Sequence, residues 1–283
     1  MNYRHAFHAG NFADVLKHVV LIMLIEHLKR KPAPFAYVDT HAGRGVYDLS
    51  ESAAQRSGEY KAGIGRLVDT PQAQMPDELR SYVDLVKHSA GPDRSPITAY
   101  PGSPKLVAML RRDGDRMALY ESGPQEADAL RTALGRQHGL SIIEGDGYAG
   151  LKAQLPPKEK RGLVLIDPPY ESEREFDTVL EALELAHSRW STGIYCIWYP
   201  RTGRAGHERF LRQLAHSGIR RILHVSLDVL PQDSGAGMPG AGLVIVNPPW
   251  QLDSRLKQLL PQLHALLSIR GAGGWGLKWL VPE

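Results

Sequence analysis

Strand-like and helix-like runs alternate along most of this chain, and such alternation restricts it to a largely parallel sheet covered by helices on both faces. The strand-like runs fall at 35–39, 117–121, 140–144, 162–167, 193–199, 219–227 and 241–247, seven in all. The Gly/Pro-rich stretch 231–240 lies between the last two and predicts a hairpin. Between the fourth and fifth runs, Phe176, Val179, Leu180, Leu183 and Ala186 recur at helical spacing and predict a helix with one apolar face over 173–190. Another helix is predicted over 11–31, apolar on most sides between Val15 and Ile25, capped by Asn11 and closed by Pro32 and Pro34.

Residues 48–96 differ from this pattern, with scattered charges, few β-branched residues and helix-like stretches at 59–68 and 77–87. They predict a helical insertion subdomain within a catalytic domain built from 1–47 and 97–283. With 42% hydrophobic and 23% charged residues and no repeats, the 283-residue chain reads as a soluble globular protein. Its longest apolar run, Val19 to Ile25, is far short of the ~20 residues a membrane span requires. The single cysteine, Cys196, excludes an internal disulfide framework and any multi-cysteine zinc site, and points to the cytoplasm. A formal charge of +3 says little, but basic clusters at 29–31, 111–112, 158–161 and 201–212 permit a polyanionic partner.

Three strand ends carry candidate ligand-binding residues. Asp39-Thr40-His41-Ala42-Gly43-Arg44-Gly45 follows the first strand, where glycines let the backbone approach a ligand closely. Glu121 ends the second strand, and an acid there can accept hydrogen bonds from both ribose hydroxyls of an adenosine, in a nicotinamide cofactor as well as in other nucleotides. Asp146-Gly147 follows the third strand, where Asp146 suits an adenine amine, or simply forms an Asp-Gly turn.

The fourth strand, 162–167, ends in Asp167-Pro168-Pro169-Tyr170. An exocyclic adenine nitrogen is a poor nucleophile because its lone pair is delocalised into the ring, so two acceptors aimed at its N–H bonds are needed to localise that pair. The Asp167 carboxylate and the Pro168 carbonyl supply them, the prolines fix the turn without adding competing N–H donors, and Tyr170 stacks on the base. The pattern recurs as Asn247-Pro248-Pro249-Trp250, but that copy ends the seventh strand, expected to run antiparallel and finish at the opposite rim, so it is read as structural. Aromatic and basic groups also concentrate at Tyr3, Arg4, His5, Phe7, His8, Lys17 and His18, and in the loop Arg201 to His207; nucleic-acid contact and a solvated arm or loop both fit them. No metal site is expected.

Seven strands ending in a hairpin resemble the class I S-adenosylmethionine-dependent methyltransferase fold, a Rossmann-like α/β architecture. From end to end the chain also resembles the bacterial large-subunit ribosomal RNA adenine-N6 methyltransferases of the J type. The residues that carry this resemblance are Tyr3-Arg4-His5, Phe7-His8-Ala9-Gly10-Asn11, Asp14-Val15-Leu16-Lys17-His18, Asp39-Thr40-His41-Ala42-Gly43, Tyr100-Pro101-Gly102-Ser103-Pro104, Asp167-Pro168-Pro169-Tyr170, Trp198-Tyr199-Pro200 and Val281-Pro282-Glu283. The resemblance implies S-adenosylmethionine as cofactor, with His18, His41, Gly43, Ser103, Glu121, Asp146, Gly147 and Asp167 lining its pocket, and Asp167, Pro168 and Tyr170 as the catalytic residues. It assigns Tyr3, His5 and Lys17 to substrate or cofactor handling, with Arg201 and Arg204 as further candidate RNA contacts. It implies 23S ribosomal RNA as partner, adenine 2030 as target and a monomeric enzyme. A DNA adenine-N6 methyltransferase and a non-catalytic RNA-binding assembly factor are the alternatives, and a nicotinamide-dependent oxidoreductase is a rival that leaves Asp167 to Tyr170 unexplained.

Overall fold

The computed structural model describes residues 4–91, 97–202, 206–235 and 237–283. A short turn of 3-10 helix, His5–Phe7, leads into α1 (Phe12–Lys29). The Asn11 side chain accepts from the backbone N–H groups of Ala13 and Asp14, so it caps the helix as its position suggested. Every residue from Ala13 to Ile25 is buried, including Asp14, Lys17 and His18. The chain continues through β1 (Ala36–Asp39), β2 (Val46–Asp48), α2 (Ser52–Ser57), a wide turn at Lys61–Gly65, α3 (Arg66–Asp69), α4 (Asp77–Ala90) and β3 (Ala99–Pro101). It then runs through α5 (Ser103–Leu110), β4 (Arg116–Glu121), α6 (Pro124–Leu134), β5 (Leu140–Glu144), α7 (Gly147–Gln154), β6 (Gly162–Ile166), α8 (Arg174–Arg189) and β7 (Ile194–Arg201). The last elements are α9 (Gly206–Ala215), β8 (Ile222–Asp228), β9 (Gly240–Val246), α10 (Leu252–Leu267) and β10 (Gly274–Val281).

The main sheet has eight strands in the order β10-β8-β9-β7-β6-β1-β4-β5. From β5 to β7 neighbouring strands are parallel; β9 pairs antiparallel with β7, β8 with β9, and β10 with β8. This is the class I methyltransferase arrangement, hairpin included, with one strand more than the seven expected. The added strand, β10, forms an edge, and its glycines and partly exposed tryptophans give it little of the apolar pattern that marks the others. β2 and β3 form a separate two-stranded sheet that the sequence pattern does not reveal. The helix expected over 59–68 is broken into shorter pieces, since Gly63 takes a non-helical backbone at φ −102° and ψ −110°.

Side chains from β1, β6 and β7 alternate between two apolar clusters, one on each face of the sheet, as the two-fold repeat of a strand requires. One cluster joins Tyr37 and Leu165 to α1, α4, α5 and α10; the other joins Val38, Val164 and Ile166 to α7, α8 and α9. The chain leaves β1 for β4 and β5 on one side and returns to β6 on the other. The strand order therefore reverses between β1 and β6, the place where ligands of open α/β sheets bind, beyond the carboxyl ends of the strands.

Candidate active site

Asp39 and Asp167 stand at the ends of these two adjacent strands, and each organises part of the site. Asp39 is fully buried. Its Oδ2 accepts from the hydroxyls of Tyr37 and Ser103, both at 2.7 Å, and its Oδ1 accepts from the His41 backbone N–H at 3.2 Å. Burial pushes its carboxyl up to about 6 against the pull of these donors. One carboxylate thus holds together the start of the glycine loop and the start of α5. His41 turns its ring edge toward Tyr148 at 4.9 Å and shares a 2.8 Å hydrogen bond between Nδ1 and the Thr40 hydroxyl. Burial pushes it down to about 4, so it is neutral near pH 7.

Glu121, at the end of β4, accepts from the backbone N–H of Gly43 at 2.8 Å through Oε2 and from that of Gly123 at 2.7 Å through Oε1. It clamps the glycine loop against the loop after its own strand while keeping lone pairs for a ligand. Gly43 has φ +62°, and a side chain there would strike the Tyr47 hydroxyl. A side chain at Gly147 would collide with the Thr40 backbone, so α7 starts directly against the end of β1. Asp146 caps that helix, accepting from the N–H groups of Tyr148 at 2.8 Å and Ala149 at 3.4 Å through Oδ1. The sequence offered a ligand contact or an Asp-Gly turn for it; it caps the helix that follows, and the residue is exposed.

Asp167 is tied to α1. Its Oδ2 lies 2.5 Å from Lys17 Nζ, which is also 2.8 Å from Asp14 Oδ1. Asp14 Oδ2 accepts from the Gly10 N–H at 2.9 Å and pairs with His5 Nε2 at 3.0 Å. Burial alone would raise Asp14, yet His5 and Lys17 beside it hold it well below the usual carboxylate range. Burial would likewise lower Lys17, but Asp14 and Asp167 outweigh it and keep the ammonium charged. The chain segment before α1 is fixed over this row by Glu59, which accepts from the Asn11 amide and pairs with His8 Nδ1, both at 3.0 Å. Asp14 is a functional candidate that pattern reading alone did not single out. Its signal was the placement of Asp14, Lys17 and His18 at i, i+3 and i+4 in a helix otherwise apolar all round.

Tyr170 is fixed as well. Its hydroxyl donates to the Trp198 carbonyl at 2.8 Å, and its ring packs 4.7 Å from Phe176 and 6.1 Å from Trp198. The Pro168 carbonyl accepts from the Tyr170 N–H at 3.1 Å, which leaves it one free lone pair.

Two cavities meet at Asp167-Pro168-Pro169, with Arg4, His5, Phe7 and Lys17 also shared between them. The smaller, about 410 Å³, is lined by the glycine loop, His18, His41, Ser103 and Glu121. The larger, about 1000 Å³, is mostly apolar and is walled by Phe12, Tyr170, Trp198, Leu230, Leu267 and Ile269. Of the predicted pocket residues, Asp146 and Gly147 do not line the smaller cavity; they reach it through Tyr148 against His41. Arg201 is held by Asp228 at 2.9 and 3.2 Å, which occupies its guanidinium. Tyr3 and Arg204 lie outside the described residues.

The second Pro-Pro motif sits at the other rim, where the end of β9 pairs with the start of β7. The Asn247 amide donates to the carbonyls of Ser191 and Gly193, both at 2.8 Å, and Trp250 is 81% exposed. Among the described residues no helix is long and apolar enough to cross a membrane, and no three His, Cys, Asp or Glu side chains cluster as metal ligands would.

The family model for "Ribosomal RNA large subunit methyltransferase D, RlmJ" matches residues 32–281. Two curated relatives, both called ribosomal RNA large subunit methyltransferase J, come from Haemophilus influenzae and Escherichia coli. Each is 42% identical to this chain, with all of both chains covered. A crystal structure of a Legionella pneumophila protein superposes with a TM-score of 0.86 at 35% identity, covering 96% of this chain and 97% of that one.

Proposed function

Since this chain belongs to the family of large-subunit ribosomal RNA methyltransferases J, we propose that it methylates the exocyclic N6 amine of one adenine in 23S ribosomal RNA, adenine 2030. The observation that carries this reading is the pair of cavities sharing Asp167 and Pro168 as a common wall. A group-transfer enzyme that uses no covalent intermediate needs such an arrangement, because donor and acceptor must meet across one point.

The smaller cavity suits S-adenosylmethionine, the family's cofactor. Gly43 lines it at φ +62°, where a side chain would collide with the Tyr47 hydroxyl. Glu121 retains acceptor capacity for ribose hydroxyls, and buried His18 Nε2 is without a partner. When bound, the cofactor supplies a methyl group already activated on a sulfonium, so the chain's task is alignment and charge placement.

The larger cavity takes the flipped base. Tyr170 and Trp198 offer aromatic surface, and stacking worth ~1–3 kcal/mol per base is comparable to the few kcal/mol that extrusion costs. Asp167 then accepts one N–H of the amine. With Oδ2 held by Lys17, its Oδ1 is the oxygen left for that bond. The free lone pair of the Pro168 carbonyl accepts the second N–H, and the two together localise the nitrogen lone pair toward the methyl. Lys17 orients Asp167, and Asp14 and His5 continue the row toward solvent.

Residues 48–96 serve as a helical insertion, and within it Glu59 holds the segment before α1 over both cavities. Tyr3 and Arg204 remain candidates for RNA contact, whereas Arg201, the last residue of β7, is held by Asp228. The test is transfer of labelled methyl groups from S-adenosylmethionine to unmodified large-subunit RNA, with DNA as competitor, followed by nucleoside analysis. N6-methyladenosine in RNA supports the proposal. Label in DNA, or in a different nucleoside, refutes it.

A further inference from the structure

Behind the smaller cavity three polar side chains form a chain inside otherwise apolar surroundings. His18 Nδ1 lies 2.7 Å from the Tyr100 hydroxyl, and that hydroxyl lies 2.8 Å from the Tyr82 hydroxyl of α4. Tyr82 and Tyr100 are fully buried and His18 is 1% exposed. His18 lines the cavity while neither tyrosine does, and its Nε2 is buried without a partner.

Three donors must be placed: one proton on each hydroxyl and one on the imidazole. Burial pushes His18 down to about 3, so near pH 7 it carries a single ring proton. If Nδ1 holds that proton and donates to Tyr100, either Tyr100 donates to Tyr82 and the Tyr82 proton is left over in the core, or Tyr82 also donates to Tyr100 and the Tyr100 proton is left over there. If instead Tyr82 donates to Tyr100 and Tyr100 to Nδ1, both hydroxyl protons are used. The only donor left over is then Nε2–H at the cavity wall, where a ligand oxygen can take it. Stranding a buried donor costs more than leaving a hydroxyl lone pair unused. Without a ligand each arrangement strands one donor, but only in the second can a ligand oxygen take it, so the second is the stable one in the complex.

We infer that Tyr100 fixes His18 in the Nε2–H tautomer, so that His18 meets the cofactor as a hydrogen-bond donor to one of its oxygen atoms. Tyr100 is a positioning residue, acting through His18. The inference rests on the cofactor reading of the smaller cavity, and the two can fail separately.

The test uses the whole protein labelled with ¹⁵N-histidine. Two-bond ¹H–¹⁵N correlations distinguish the two neutral tautomers, and His18→Gln identifies the signal. With S-adenosylmethionine bound, the wild type is expected to show Nε2–H at His18. Tyr100→Phe is expected to lose that preference and to bind S-adenosylmethionine roughly three- to tenfold more weakly, the effect of one neutral hydrogen bond. Tyr82→Phe should keep the Nε2–H tautomer, because Tyr100 still has its own proton to give.

Nδ1–H in the cofactor-bound wild type overturns the inference. So does a tautomer switch in Tyr82→Phe, or a Tyr100→Phe protein with tautomer and affinity both unchanged. If Tyr100→Phe does not fold, the wild-type and Tyr82→Phe spectra decide. Calorimetry of the wild type and Glu121→Ala with S-adenosylmethionine tests the underlying reading: no binding by the wild type, or equal binding by the variant, refutes the cofactor site whatever the tautomer proves to be.

Discussion

Replacing Lys17 with methionine keeps the length and apolar bulk of the side chain and deletes only the charge that separates two carboxylates. Asp14 is 2% exposed and Asp167 16% exposed at the side chain, so Asp14 has no water to turn to and Asp167 only that of the cavities it lines. Removing one member of a buried ion pair typically costs ~3–5 kcal/mol, because the partner's desolvation is no longer offset. Here one ammonium serves two carboxylates, which places the expected loss in the upper part of that range. Part of it is held back by the Gly10 N–H and His5, which still face Asp14. With a urea slope of about 3 kcal/mol per molar, the unfolding midpoint of Lys17→Met should fall by about 1–1.7 M. The diagnostic partner is Asp14→Asn in the same background. If the cost comes from orphaned charge, the double variant Lys17→Met/Asp14→Asn regains a large share of the loss, a coupling a double-mutant cycle measures directly. A midpoint shift below about 0.3 M for Lys17→Met, or a double variant no more stable than the single, would refute the reasoning.

Other expectations follow from the same geometry. Gly147→Ala should lose about 1–3 kcal/mol and weaken S-adenosylmethionine binding, since its methyl group meets the Thr40 backbone and forces α7 away from β1; unchanged melting and binding would mean that this junction is looser than it looks. Asn247 has φ +53° and donates to two carbonyls, so Asn247→Ala should cost about 2–4 kcal/mol from conformation and lost hydrogen bonds together, yet leave methyl transfer per folded molecule intact. Loss of turnover without loss of stability would return that motif to the catalytic candidates. Acid should unfold the protein steeply. His18, His41 and His224 are held neutral, near about 3, 4 and 3, so their contribution is complete above the unfolded value of 6.5 and is lost as pH falls toward the folded values. Between pH 5.5 and 4.5 the unfolded chain holds nearly three more protons at these sites than the folded one, about 4 kcal/mol per pH unit. Asp39, raised to about 6, opposes this by one proton at most, because its neutral form favours the folded state as pH drops through 6. Denaturant titrations across that range check the slope, and a flat profile would contradict the burial assigned to these rings.

What could be read in the sequence was what depends on periodicity and on strand ends. The strands β1, β4, β5, β6, β7, β8 and β9 each carry a compact apolar run, and Asp39, Glu121 and Asp167 mark where three of them stop. Once the strand order is known, these acids converge because parallel strands end on one rim. β10 escaped because an edge strand need not be apolar on both faces: Trp275, Lys278 and Trp279 are exposed, and two glycines interrupt it. β2 and β3 are too short to carry a pattern. The row His5, Asp14, Lys17 and Asp167 spans more than 150 positions, Lys17 and Asp167 alone being 150 apart, and spacing cannot reveal a contact of that kind. The same holds for His18, Tyr100 and Tyr82, which meet only because α4 packs on α1. Asp146 illustrates the opposite case: its residue type and position fit both a ligand contact and a helix cap, and the cap is what its Oδ1 makes.

The central claim is that Asp167 stands between donor and acceptor and acts on the acceptor. It is tested most directly by measuring, on one preparation of Asp167→Ala, both the affinity for S-adenosylmethionine and single-turnover methyl transfer to unmodified large-subunit RNA. The account predicts cofactor affinity within about tenfold of wild type and transfer reduced by at least about 100-fold, the usual scale for removing a group that stabilises the transition state. Transfer at the wild-type rate by the folded variant would contradict it.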